Sequence, residues 1–190
     1  MDQNLTEQKH ALVIGGGTGM GEAIALAFSR EGWRVVIAGR RLEKLEDVIR
    51  QSSMGNPIQK HVADVGERDS VETLFQWFRE QVGQLDILVN CAGVNIPDRS
   101  IDKLSPSDWD DLIRINATGA FDCMRCALKD MCPRGDGLII NISSVAGKRA
   151  APLGGVAYNA SKFAMTALGT TLAEEVRDAG VRITSIFPGE

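Results

Sequence analysis

Tyr158 is the sole tyrosine of the chain, and Lys162 follows it four residues later. On a helix that spacing stacks the two side chains on one face, close enough to share a ligand. A free phenol gives up its proton only at about pH 10. An ammonium beside it favours the phenolate and draws proton exchange toward neutral pH, as a general acid–base group requires. Far upstream, the stretch Ile14-Gly15-Gly16-Gly17-Thr18-Gly19-Met20-Gly21 has the composition of a loop that lets a phosphate approach bare backbone. Gly15, Gly17, Thr18, Gly19, Met20 and Gly21 are its candidate contacts. Arg40 and Arg41 add two forked cationic donors suited to a further phosphate. These residue types point to proton transfer beside a bound dinucleotide.

Such groups must be held by regular elements, and the apolar periodicity supplies them in alternation. Strands are expected at Ala11 to Ile14, Trp33 to Ala38, Ile58 to Ala63, Leu85 to Val89, Leu138 to Ile142 and Val181 to Phe187. Helices are expected over Met20 to Arg30, Leu42 to Arg50, about Asp69 to Gln81, Ser107 to about Met131, and Tyr158 to Asp178. The strands are short and apolar without alternation, so both of their faces are buried, as in a parallel sheet covered by helices. Right-handed crossovers then predict an α/β fold of Rossmann type, a doubly wound parallel β-sheet in a three-layer α/β/α arrangement. With no linker or repeat, residues 1–190 are expected to form one NAD(P)-binding domain.

In that frame the glycine loop joins the first strand to the first helix, where a pyrophosphate meets unpaired N–H groups. The acidic residue that grips a ribose 2′-hydroxyl in NAD-binding folds belongs about 20 positions further on. Gly39 stands there, followed by Arg40 and Arg41. A carboxylate would repel a 2′-phosphate and two guanidiniums attract it, so NADP(H) is favoured over NAD(H), with Arg40 the stronger candidate. The alternative is that both arginines merely open the next helix on the surface. Ser143 and Ser144 end the fifth strand, at the edge where open α/β sheets bind ligands, and either hydroxyl could hold a substrate carbonyl. Asn116 lies in mid-helix, followed shortly by Gly119, an odd position for a poor helix former.

Gly15, Gly19 and Gly21 form G-x-x-x-G-x-G, and with Tyr158 and Lys162 the chain resembles the short-chain dehydrogenases/reductases. Their loop is usually written T-G-x-x-x-G-x-G, so Ile14 replaces a threonine that ties the loop to neighbouring backbone. The resemblance assigns Asp64 and Val65 to the adenine, and it matches Asn90, Ala92 and Gly93 to the N-N-A-G motif, in which Cys91 is a second departure. It selects Ser144, in Ser144-Val145-Ala146-Gly147, as the catalytic serine, leaving Ser143 as support. It makes Asn116 the residue that opens its helix and links Lys162 to solvent. Pro188 and Gly189 match the P-G motif beside the nicotinamide. The implied tetrad is Asn116, Ser144, Tyr158 and Lys162, with Tyr158 and Lys162 also on the cofactor, and the likeness is to 3-oxoacyl-[acyl-carrier-protein] reductases among others. The implied reaction is hydride transfer between NADP(H) and a small-molecule carbonyl or alcohol, in a homotetramer or homodimer built on the helices of Asn116 and Tyr158.

Composition narrows the rest. A net charge of −4 offers no basic footprint for nucleic acid. No apolar run approaches the roughly 20 residues of a membrane span, and the start from Met1 to His10 is polar, so a cytoplasmic protein with no membrane partner is expected. Cys123 and Cys126 have C-x-x-C spacing without a second ligand pair, so no metal site is expected and the thiols read as small apolar residues. Three rival readings are an extended-type epimerase or dehydratase, a non-catalytic dinucleotide-binding protein and an inactive fragment. The first is disfavoured because Glu22 stands where the third glycine of G-x-x-G-x-x-G belongs, and the second by the intact tetrad. The third arises because family members usually continue for several dozen residues beyond P-G, adding a substrate-covering segment and a last strand, whereas the sequence stops at Glu190.

Overall fold

Short strands that are apolar on both faces need cover on both sides, and the chain supplies it by alternation. The computed structural model describes residues 8–52 and 57–189. The extreme start of the polar opening segment and Glu190 lie outside the described residues. Six parallel strands form one sheet: β1 (His10–Ile14), β2 (Arg34–Gly39), β3 (Gln59–Val62), β4 (Ile87–Asn90), β5 (Gly137–Ile142) and β6 (Val181–Ile186). Their order is β3-β2-β1-β4-β5-β6. The central strand β1 pairs in register with β2 (Leu12 opposite Val36) and with β4 (Leu12 opposite Leu88). This is the expected Rossmann-type α/β/α arrangement.

Side-chain alternation along β1 explains the layers. Leu12 and Ile14 face one core with Phe75, Phe78, Met124 and Met131, which come from α3 (Arg68–Gln81) and α5 (Gly119–Arg134). Ala11 and Val13 face the other, with Ala25, Leu26, Leu45 and Val48 from α1 (Gly19–Arg30) and α2 (Leu42–Gln51). Each face therefore removes its own apolar area from water, worth about 25 cal/mol per Å². Cys123 and Cys126 are free thiols packed inside the first core. Burial pushes the Cys123 thiol far up from its usual range, so it stays protonated.

Two helices differ from expectation. The single helix expected from Ser107 to about Met131 is two helices, α4 (Pro106–Ile113) and α5, joined by a π-helical turn at Arg114–Thr118. Ser105 caps α4 by accepting from Asp108 N at 3.0 Å, and Pro106 occupies the first turn, where a missing N–H costs nothing. Gly135, with φ of 77°, ends α5 in the left-handed conformation. The second, α6 (Val156–Glu175), starts two residues before Tyr158 and gives way to a 3₁₀ turn at Arg177–Ala179. No helix among the described residues is long and apolar enough to cross a membrane.

One close approach anchors α1. A Cβ at Gly21 would lie 2.2 Å from Gly15 O, so the helix can sit on its own entry loop only without a side chain there. We expect Gly21→Ala to destabilise the fold by about 1–3 kcal/mol through overpacking. Gly39→Ala, whose Cβ would meet nothing nearer than 3.6 Å, should change it far less. Urea denaturation followed by circular dichroism measures both, and equal effects would show that the Gly21 contact relaxes freely.

Candidate functional site

The strands of a parallel sheet all end on one side, and the loops that leave β1 and β4 there run to opposite faces. Between them opens a cleft of about 260 Å³. Its walls include Gly15, Gly17, Thr18 and Met20 of the glycine loop, Arg40 and Arg41 after β2, Val65 after β3, and Ala92 and Gly93 after β4. These are nine of the residues expected to hold a cofactor. The loop is fixed by backbone: Gly15 N and Gly16 N donate to Ala38 O at 2.8 and 3.3 Å. Ile14, where the family motif has threonine, is 2% exposed and packs in the core, and its carbonyl accepts from Cys91 N at 3.0 Å.

The fit to a dinucleotide rests on what the cleft offers. Gly15 and Gly19 have φ of 77° and 59°, and a Cβ at Gly19 would meet nothing within 4 Å, so the loop faces open space at that point. Among the described residues no carboxylate lines the cleft, and its charged lining is cationic: Arg40, Arg41 and also Lys44 from the first turn of α2. Lys44 was missed in the sequence because it reads as one charge among many on an amphipathic helix. Cys91, Val94 and Ile115 line the cleft as well. Burial raises the Cys91 thiol pKa, with the Lys162 ammonium opposing the rise.

The remaining expected contacts lie beside or beneath this lining. Asp64 turns its carboxylate back to accept from Gly66 N at 2.9 Å. Buried Asn90 donates to Asn141 Oδ1 at 3.0 Å and so ties β4 to β5. Gly21 lies under the loop, and Gly189 stands in open space past β6. Pro188 lies at the Ser144 turn, where its carbonyl accepts from Val145 N at 3.0 Å.

Tyr158 and Lys162 share one face of α6, with Lys162 Nζ 5.7 Å from the phenol ring centroid. Lys162 is only 4% exposed, and its amine donates to Ile142 O at 3.0 Å, at the end of β5. Burial lowers its pKa from 10.5 to about 8, with the Cys91 thiolate form acting in the opposite sense. A Cβ at Gly93 would lie 3.3 Å from that amine and 3.6 Å from Asn116 Oδ1, so the cleft wall at Gly93 is where the cleft meets Lys162 and Asn116.

Asn116 occupies the middle of the π-helical turn and is fully buried. Its Oδ1 accepts from Val94 N at 2.8 Å, and its Nδ2 donates to Val94 O at 2.8 Å and to Ser161 Oγ at 3.0 Å. Ser161 Oγ in turn donates to Tyr158 O at 2.8 Å. The π-helical turn at Asn116 links the loop after β4 to the backbone of Tyr158. Ser161 is a second residue missed in the sequence, its signal being only its place just before Lys162.

Ser144 caps the 3₁₀ turn Val145–Gly147, its Oγ accepting from Ala146 N at 3.1 Å. Gly147 lets that turn sit on α6, since a Cβ there would be 2.7 Å from Lys162 O. Ser143 is 3% exposed and shares a hydrogen bond with Thr166 at 3.1 Å, which fits a supporting position.

The family model for short chain dehydrogenase matches residues 9–190. An uncharacterized oxidoreductase of Staphylococcus aureus (strain MW2) is 35% identical over 181 residues, covering 95% of this chain and 77% of that protein. A metagenomic short-chain oxidoreductase solved in complex with NADP superposes with a TM-score of 0.90 at 35% identity, covering 96% of this chain and 82% of that one. ElxO with NADP bound gives 0.89 at 30% identity, over 96% and 74% of the two chains. The chain belongs to the short-chain dehydrogenase family of oxidoreductases.

Proposed function

We propose that this chain is an NADP(H)-dependent oxidoreductase that interconverts a small-molecule carbonyl and its alcohol, with Tyr158 moving the proton. The observation that carries the reading is the junction at Gly93, where a cleft lined by a glycine loop and cations meets the buried Lys162 amine beneath Tyr158. The two solved relatives bound to NADP support the choice of cofactor, as does the absence of a carboxylate from the lining. When bound, the nicotinamide supplies or accepts the hydride.

The chain's own residues do the rest. The glycine loop and Arg40, helped by Arg41, hold the phosphates. Ser144, whose Oγ accepts from Ala146 N and keeps its O–H free, donates to the substrate oxygen, and Tyr158 gives that oxygen a proton or takes one from it. Lys162 holds the ribose and places a positive charge beside the phenol. Asn116 and Ser161 keep the Tyr158 backbone in place through Val94. Preference for NADP(H) favours the reductive direction. The resemblance extends this reading to a homotetramer or homodimer through the helices of Asn116 and Tyr158.

Three outcomes test this reading. Tyr158→Phe should cut turnover of any accepted carbonyl by about 100-fold or more while NADPH binding, followed by calorimetry, stays nearly intact. Retained turnover would remove Tyr158 from its role. Arg40→Ala should weaken NADPH by roughly 10-fold or more and leave NADH almost unchanged, and equal losses would place the 2′-phosphate elsewhere.

The third concerns stability. Because the folded pKa of Lys162 lies below its unfolded value, the unfolded chain binds more protons between about pH 8 and 10.5. The burial cost is complete below that window and fades as pH rises through it. Lys162→Met should therefore be inactive yet more stable at pH 7, by at most about 3 kcal/mol less the loss from stranding Ile142 O. That advantage should shrink toward pH 10 in thermal unfolding of the ligand-free protein. A pH-independent difference would show that Lys162 is not a buried charge.

A further inference from the structure

We infer that Lys44 is a third ligand of the cofactor's 2′-phosphate, reached by releasing Asp47, and that it sets NADP(H) preference together with Arg40 and Arg41. The inference rests on the NADP(H) reading above and adds a residue to it. Among the described residues three cations and no carboxylate line the cleft, so nothing within its walls offsets their mutual repulsion. A phosphate monoester, carrying about −1.5 to −2 charges at pH 7, answers that imbalance. An NADH ribose, with two neutral hydroxyls, does not.

The placement of Lys44 favours such a contact. Its amide donates to Arg41 O at 3.1 Å, so it lies one turn along α2 from the arginine pair. Its Cβ lies 3.3 Å from where a Gly17 Cβ would be, which brings its stem alongside the glycine loop. The bareness of Gly17 is what admits that stem. Lys44 differs from the two arginines in kind: it is a compact charge on a flexible stem, able to follow a phosphate that their planar forks have oriented.

Its present partner costs little to leave. Lys44 Nζ lies 3.3 Å from Asp47 Oδ2, and both side chains are 42% exposed. Exposed i,i+3 pairs of this sort contribute little to stability. Asp47 also pairs with Arg50 and keeps that partner when Lys44 departs. Glu46, on the same helix, is engaged with Lys60 at 2.8 Å. The lysine is thus free to exchange partners without stranding a carboxylate.

Calorimetric titration of the full chain with NADPH, NADH, 2′,5′-ADP and 5′-ADP tests this. Lys44→Gln should weaken NADPH and 2′,5′-ADP by roughly 10-fold and leave NADH and 5′-ADP unchanged, while Lys44→Arg restores most of the loss. Asp47→Asn should leave NADPH binding equal or tighter. Loss on all four ligands after Lys44→Gln would mean that the lysine supports α2 rather than the phosphate, and no loss on any would remove it from the site; either overturns the inference. Weaker NADPH binding by Asp47→Asn would overturn the exchange of partners. A wild-type chain with no preference between 2′,5′-ADP and 5′-ADP would overturn the NADP(H) reading itself, and this inference with it. Preference lost with Arg40→Ala but kept with Lys44→Gln sinks the inference alone.

Discussion

Everything at this site depends on the reversal of strand order between β1 and β4. The chain leaves β1 to build α1 and β2 on one side, then returns to lay β4 on the other, so the two loops must part. They part only after touching: Cys91 N is bonded to Ile14 O, and a Cβ on Gly15 would fall 2.7 Å from Ala92 N. The crevice is therefore narrow at its floor and open above. Because all strands run in parallel, β2, β3 and β5 deliver Arg40, Val65 and Ser144 to the same end without any element having to bend toward it.

Lys162 shows what the arrangement costs. An amine only 4% exposed with one carbonyl partner is worse off than in water, and burial drags its pKa to about 8. The fold tolerates it because the surroundings are over-determined. α6 is tied to β5 by the lysine itself, to the serine turn by the close approach at Gly147, and to the loop after β4 through Ser161 and Asn116. The residues that lock the lysine in place also hold the backbone of the tyrosine, so the cost of burying the amine and the local rigidity have one origin.

The fold was legible because strands such as Leu12 to Ile14 and Ile87 to Val89 are apolar on consecutive residues, which leaves a covered parallel sheet as the natural arrangement. The glycine loop, Arg40 and the Tyr158–Lys162 pair were legible because their spacing is local to one element. What escaped depends on contacts between elements. Lys44 has no local mark that separates it from Lys60 or Lys129, and only its approach to Gly17, across the chain, puts it in the cleft. Ser161 matters through a hydrogen bond to a residue 45 positions away. Asp64, matched to the adenine by resemblance, also closes its own turn by accepting from Gly66 N through Oδ1, a pairing that its place in the sequence does not announce. The break between α4 and α5 was hinted at by Asn116, yet its form as a π-helical turn needed the i→i+5 bond from Gly119 N to Arg114 O.

That π-helical turn also acts as a phase marker in the chain. It carries one residue more than a regular turn, so α5 leaves it rotated by about 100° from the direction α4 would otherwise impose. The 16 residues of α5 inherit that rotation as a block. With it, Cys123, Met124, Ala127 and Met131 enter the core and Phe121 faces out. Regularising the turn with all its residues kept would turn that whole stripe away from the sheet by about 100°, whereas loss of a single residue between Arg114 and Thr118 would leave a plain helix whose stripe keeps its facing. The turn stores its extra residue in the hydrogen-bond pattern of the helix itself, so the packing of α5 on the sheet is indifferent to whether that residue is there.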